Sequence, residues 1–272
     1  MNDHARFTPT HREYRVQRWQ DGALTTTLDE VAEEVPVSLV YNGMPHVVMM
    51  ASPADLEDFA LGFSLSEGIL QRREELYVTE VAAVSEGVEV RMDIELQRFL
   101  PIEEQRRNLE GRTGCGLCGA ETIEQAVRHP ARLGKGVEVT ATALQAAYAR
   151  LSERQQLNRI TGAVHAAAWA TLDGELAAVR EDVGRHNALD KMIGALAREG
   201  RSFEQGFALI TSRASFEMAQ KAATVGITLL AAISAPTGLA IRLAEETGLT
   251  LIGFARGRQY NVYTNPQRLT SE

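Results

Sequence analysis

The chain has 272 residues, 44% of them hydrophobic, and a formal net charge of −8. That length allows one large or two small domains with a full core. The acidic balance argues against nonspecific nucleic-acid binding, and no apolar run is long enough to span a membrane. The first residues, Met1 to Arg6, are polar and lack the apolar stretch of a secretory leader. The chain holds only two cysteines, too close together to staple distant segments, which fits a reducing cytosol.

Residues 1–11 read as a frayed end, and Glu13 to Trp19 as a strand. Val37, Leu39 and Tyr41 alternate, Asn42-Gly43 supplies a two-residue turn, and His46 to Met50 returns, so a hairpin is expected. His46 is read as structural. Ser52-Pro53-Ala54-Asp55 predicts a helix start, with Ser52 as N-cap and Pro53 at the first helical position. Leu56, Phe59, Ala60 and Phe63 then share one helical face, and Gly68 ends the helix. Tyr77 to Ile94 reads as two strands turning near Ser85-Glu86-Gly87. From Arg98 to Gly114 the pattern breaks around Pro101, a charge run and Gly111, which predicts a linker.

Both cysteines sit in Gly114-Cys115-Gly116-Leu117-Cys118-Gly119. The flanking glycines permit tight turns and close approach to the thiols. Arg112, and a helical pattern beginning at Ala120, favour the thiolate, which is the nucleophilic form. A structural zinc site would need two more ligands that no second cysteine pair supplies. A thioredoxin-like pair would follow a strand, whereas this motif follows a polar run. Idle surface thiols are a liability. A sulfur carrier, with a persulfide on one cysteine, is the favoured reading, although the motif alone leaves these alternatives open.

A helix is expected from Ala141 to about Gln156, then a hairpin turning at Asp173-Gly174. Glu181 to Lys191 is the densest polar run of the chain. Following a strand, it reads either as a site in which polar density points to His186 and Asp190, or as a solvated helix start with Asp190 and Lys191 exposed. Three strands then end in Ser212-Arg213-Ala214-Ser215, Ser234-Ala235-Pro236-Thr237 and Ala255-Arg256-Gly257-Arg258-Gln259. Hydroxyls, arginines and helix N-termini at one sheet edge make an anion site, suited to a phosphate or a nucleotide-bearing ligand. No Walker A or G-x-G-x-x-G fingerprint is present.

The cysteine motif, Thr161 to Ala167, Glu181 to Lys191, Ser212 to Glu217 and Gly253 to Arg258, in this order, resemble the FdhD family of formate dehydrogenase accessory sulfur carriers. The resemblance runs from about Tyr14 to Tyr263. It implies that sulfur comes from a cysteine desulfurase as a persulfide on Cys115, with Cys118 as second thiol. It implies delivery to the molybdenum of the bis(molybdopterin guanine dinucleotide) cofactor destined for formate dehydrogenase. It further implies a cofactor contact over Phe254, Ala255, Arg256, Gly257, Arg258 and Gln259, to which the strand-end reading adds Ser212, Arg213 and His186. A cytoplasmic homodimer with a cytidine-deaminase-like C-terminal domain is also implied, and no resident metal. A zinc deaminase is disfavoured, because Ala166-Ala167 follow His165 where the catalytic glutamate should stand and the cysteine pair precedes the histidine. A cofactor-binding chaperone whose thiols only aid docking is the alternative. The fold expected is α/β, α+β overall. Residues 1–110 form a β-rich domain with one helix, 111–140 a mobile cysteine loop and short helix, and 141–272 a three-layer α/β cofactor-binding domain.

Overall fold

The computed structural model describes residues 8–110, 129–257 and 259–271, and for 105–110 the backbone alone. The cysteine motif and Arg258 therefore lie outside the described residues, as does most of the expected frayed end.

The chain opens on a hairpin, β1 (His11–Gln20) paired antiparallel with β2 (Ala23–Ala32) across Asp21-Gly22. Next come β3 (Val35–Tyr41) and β4 (Met44–Ala51), joined by the expected Asn42-Gly43 turn, whose φ values of 47° and 80° are those of a tight hairpin. Helix α1 (Leu56–Ser66) precedes β5 (Leu76–Val84) and β6 (Gly87–Ile94). Strands β3 to β6 form one sheet in the order β4-β3-β6-β5, with β3 and β6 parallel. The pairs Val37–Val88, Leu39–Val90 and Tyr41–Met92 put six buried side chains on one face of it.

Helix α2 (Leu96–Glu110) occupies the stretch expected to be a linker. Pro101 lies inside it and removes one backbone donor, while Ile102 is buried in the main core and holds the helix there. After β7 (Val139–Thr140) come α3 (Ala141–Arg154) and α4 (Gln156–Thr161). The hairpin β8 (His165–Ala170) and β9 (Leu176–Asp182) leads into α5 (Arg185–Arg198). Then β10 (Phe207–Ile210), α6 (Phe216–Thr224), β11 (Leu229–Ala232), α7 (Gly238–Thr247) and β12 (Thr250–Arg256) alternate as expected. The third strand end differs from expectation. It is the turn of a hairpin, since β13 (Gln259–Val262) pairs back antiparallel on β12. The chain closes with β14 (Leu269–Thr270), parallel to β7.

The larger sheet has the order β13-β12-β11-β10-β8-β9, with β10, β11 and β12 parallel. The central strands β10 and β11 are buried along their whole length, because both faces are covered. Ala166, Ala168, Leu209 and Ile252 pack against α3 on one face. On the other, Ala167, Trp169, Ile210 and Leu230 belong to a core shared with α1, α5, α6, α7 and the four-stranded sheet. Helices α1 and α5 touch through backbone. A Cβ at Gly62 would fall 1.7 Å from Asp190 O, and one at Gly194 1.9 Å from Asp58 O, so only glycine permits this approach.

Ser52 is not the N-cap of α1. That position belongs to Asp55 at φ 53°, and the helix starts at Leu56. Ser52 is instead fully buried and tied to the other half of the chain. Its N–H donates to Asp182 Oδ2 (3.0 Å), its hydroxyl accepts from Val183 N (3.1 Å), and its carbonyl accepts from Lys191 Nζ (2.9 Å). Lys191 also meets Asp182 Oδ2 at 2.7 Å, with both side chains fully buried. Asp190 is equally buried, so the solvated-helix reading of this run does not hold. Substituting Lys191→Met should cost about 3–5 kcal/mol, because it strands a buried carboxylate without its cation. Urea denaturation monitored by circular dichroism measures this, and an unchanged midpoint would show the ion pair to be dispensable.

Candidate functional site

The carboxyl ends of β10, β11 and β12 lie along one edge of the large sheet. Strand β8 runs antiparallel to β10, and β9 antiparallel to β8, so His165 and Asp182, directly opposite each other, reach the same edge. In parallel sheets this is the edge where ligands collect. Its loops are cross-linked by backbone hydrogen bonds. Ala214 N donates to Ala235 O (3.2 Å), Thr237 N to Ala214 O (3.0 Å) and Phe254 N to Ser234 O (3.2 Å). Thr211 Oγ1 accepts from Ala166 N at 2.9 Å. The loops thus extend the sheet sideways as a continuous platform.

Asp182 sets the corner between β9 and α5. Besides Ser52 N and Lys191, it accepts from Gly184 N (2.7 Å) and Asn187 Nδ2 (3.0 Å). Asn187 Nδ2 also reaches Met50 O at 2.8 Å. On this corner sit Arg185 and His186, the first two residues of α5. His186 Nε2 lies 3.0 Å from Glu217 Oε2, and Ser215 Oγ donates to the same oxygen at 3.1 Å. An ionised carboxylate only accepts, so Nε2 carries the proton and Nδ1 is left as an acceptor.

Burial, and then the Arg185 guanidinium, hold His186 below the ordinary histidine range against the upward pull of Glu217. His165 is lowered by the same two causes, with Asp182 opposing. Both imidazoles are therefore neutral at pH 7. Burial pushes Glu217 up, but His186, Ser215 and Arg185 together outweigh it and the carboxyl is lowered.

The expected site residues fall on this edge in different ways. Arg213 and Arg256 are exposed. Arg256 Nε donates to Ile233 O at 2.9 Å, which ties its guanidinium to the loop after β11. Phe254 is 43% exposed and sits at φ 55°, a rare conformation for a side chain of its size, in the irregular stretch between Gly253 and Arg256. Gly257 begins the turn to Gln259, which pairs opposite Arg256. Ser212 is buried and its hydroxyl donates to Arg213 O. Ala255 is buried in the α3-side core. Cys115, Cys118 and Arg258 lie outside the described residues.

Sequence reasoning passed over Arg185 and did not give Glu217 or His165 a role. Arg185 has a buried Nε with no hydrogen-bond partner among the described residues. A buried donor left unpaired costs free energy, so this atom marks a place where an acceptor belongs. Its signal was its neighbour: the histidine beside it drew the attention that the arginine warranted. Cavities of about 190, 320 and 410 Å³ lie elsewhere, and of the polar run only Glu181 lines one of them.

Residues 32–270 match the FdhD/NarQ family. This chain belongs to the FdhD/NarQ family. Among similar proteins, the sulfur carrier protein FdhD of Cupriavidus necator is 53% identical over 264 residues, 97% of this chain and 92% of that protein. The sulfur carrier protein FdhD of Xanthomonas euvesicatoria pv. vesicatoria is 55% identical over 254 residues, 93% of this chain and 90% of that one. A crystal structure described as that of a formate dehydrogenase accessory protein from Desulfotalea psychrophila superposes with a TM-score of 0.77. It does so at 24% identity, over 96% of this chain and all of the other. The fold of this FdhD/NarQ chain is thus shared with that protein, and no helix among its described residues is long and apolar enough to cross a membrane.

The histidine pair gives a direct test of the site's electrostatics. His186 should titrate below an ordinary histidine, and Glu217→Gln should lower it further, because the carboxylate is what pulls it up. NMR titration of the imidazole carbons reads both, and an upward shift in the variant would contradict the arrangement.

Proposed function

We propose that this chain is a sulfur carrier in formate dehydrogenase maturation. It takes sulfur from a cysteine desulfurase and passes it to the molybdenum of bis(molybdopterin guanine dinucleotide), which is its substrate. The carrier role is supported by the sulfur carrier proteins that it matches over 97 and 93% of its length. The cargo is supported by one observation of the site: the buried Arg185 Nε, without a hydrogen-bond partner among the described residues, at a sheet edge that also carries Arg213 and Arg256. Arginine forks suit the oxygens of a diphosphate, and the cargo brings guanine nucleotides with diphosphates.

Sulfur is accepted by thiol–persulfide exchange. The Cys115 thiolate attacks the outer sulfur of the donor's persulfide. The donor's S–S bond breaks, its cysteine leaves as a thiolate, and a new S–S bond holds the sulfur on Cys115. The outer sulfur is the one delivered: attack of the Cys118 thiolate on the Cys115 sulfur would break the persulfide S–S bond, release the outer sulfur at the sulfide level and leave a Cys115–Cys118 disulfide that supplies the two electrons. In this reading the chain acts as a sulfurtransferase, a homodimer of the cytoplasm that meets the desulfurase, the cofactor and formate dehydrogenase in turn.

Intact-protein mass spectrometry after incubation with a cysteine desulfurase and cysteine should show a reducible gain of about 32 Da, one sulfur atom, that is lost in Cys115→Ala. A gain lost only in Cys118→Ala would exchange the roles of the two thiols. No gain in any form, with guanosine diphosphate still bound, would make the chain a binding chaperone. For the cargo, Arg213→Ala combined with Arg256→Ala should weaken guanosine diphosphate binding by about tenfold or more, the scale of charge-assisted hydrogen bonds. Calorimetry measures this, and unchanged affinity would move the ligand elsewhere.

A further inference from the structure

The sheet edge carries one group that an anion site does not need. Glu217 is the second residue of α6, its side chain is 57% exposed, and it shares the edge with Arg185 and Arg213. A free carboxylate beside a phosphate site repels the phosphate. It is nevertheless held in one orientation, since His186 Nε2 from the first turn of α5 and Ser215 Oγ from the N-cap of α6 converge on Oε2. It is also held ionised, His186, Ser215 and Arg185 outweighing burial. An oriented, ionised, accessible carboxylate is placed to accept from the N–H groups of a ligand.

We infer that Glu217 is the specificity-determining residue of this edge. Its carboxylate receives the adjacent ring N–H and amino group of a 2-amino-4-oxopyrimidine ring, the edge presented by guanine and by pterins. The inference rests on the reading above that the arginines hold the diphosphate of a nucleotide-bearing ligand. Other bases are excluded by the same chemistry. Adenine and cytosine place a ring-nitrogen acceptor beside their amino group, which faces the carboxylate with a lone pair. Hypoxanthine keeps the ring N–H but lacks the amino group, so it forfeits one of the two bonds. The carboxylate thus discriminates both by attraction and by repulsion. Arg185 and Arg213 supply affinity without reading the base.

Calorimetry on the full chain with guanosine, inosine and adenosine diphosphates tests this directly. Wild-type protein should bind guanosine diphosphate about tenfold or more tighter than the inosine compound, the scale of one charge-assisted hydrogen bond, with adenosine diphosphate no better than inosine. Glu217→Gln should bring the guanosine compound down to the inosine level and leave adenosine diphosphate no weaker than before, its circular dichroism melt confirming the fold. A guanosine-to-inosine preference that survives in Glu217→Gln overturns the assignment, and so does a wild type that binds all three alike. In both of those cases the diphosphate reading still stands. If no diphosphate binds the wild type, that reading falls and the assignment falls with it.

Discussion

Asp182 is the point on which the rest of the architecture depends. Fully buried, it accepts from Ser52 N, Gly184 N, Asn187 Nδ2 and Lys191 Nζ. A buried carboxylate is tolerable only when paired and hydrogen-bonded, since its desolvation penalty is otherwise several kcal/mol. Those four donors come from the N-cap of α5, from its first two turns and from the chain just after β4. Satisfying one charge therefore joins the N-terminal sheet to the corner that presents Arg185 and His186. Asp58 repeats the device in the first turn of α1, where Arg180 Nε (2.8 Å) and Arg198 Nη1 (2.7 Å), the latter from the last residue of α5, bind α1 to β9 and α5.

A second buried pair fixes the register of α5 against α6. Lys221 Nζ reaches Asp190 Oδ2 (2.9 Å), Ser66 Oγ (2.9 Å) and Glu67 Oε1 (2.8 Å), so α1 is included. Burial alone would push the ammonium's pKa down. Asp190 and Glu67 outweigh it and the net direction is up, while burial pushes Asp190 up against the pull of Lys221. One helical turn toward the sheet edge from Asp190 is His186, and one turn from Lys221 is Glu217. The inner ion pair sets the helices so that the outer imidazole and carboxylate meet. The geometry of the edge is thus inherited from charges buried behind it.

Much of this was legible where local chemistry decides the outcome. Asn42-Gly43 and Asp173-Gly174 marked their hairpins, and the strands expected to end before Ser212 and Ser234 are there, both buried along their length. What escaped was decided by distant partners. Ser52-Pro53 carries every local sign of a helix start, yet Ser52 is claimed by Asp182, Val183 and Lys191, more than a hundred residues away. Strand β2 carries Thr25, Thr26 and Thr27 and then Asp29 and Glu30, so no apolar alternation announces it and β1 alone supplies its pairing. Pro101 argued against a helix that Ile102 secures by burial. Asp190 and Lys191 look like solvated charges until Lys221 and Asp182 are placed beside them. The polar run was recognisable as dense, but nothing local separates the residues that build the corner from those that face the edge.

The distribution of cations expresses the same division. The chain has 28 basic residues and only three lysines, Lys135, Lys191 and Lys221. Two of those three are the buried ion-pair partners of Asp182 and Asp190. The described cations of the sheet edge, Arg185, Arg213 and Arg256, are all arginine. An ammonium is a compact point charge that a carboxylate, a hydroxyl and a carbonyl can enclose, as Ser66 and Ser52 do here. A guanidinium is a rigid planar fork with five donors that takes a larger set of acceptors to enclose, as the four carbonyls and one hydroxyl around buried Arg268 show. At the edge Arg256 spends Nε on Ile233 O, and Arg185 Nε has no hydrogen-bond partner among the described residues. An overall charge of −8 does not oppose this, because the edge concentrates its cations locally while the buried lysines cancel the carboxylates that hold it in place. At Asp182 and Asp190 the partner is an enclosed lysine and at the sheet edge the cations are arginines, and exchanging them would be conservative at neither place.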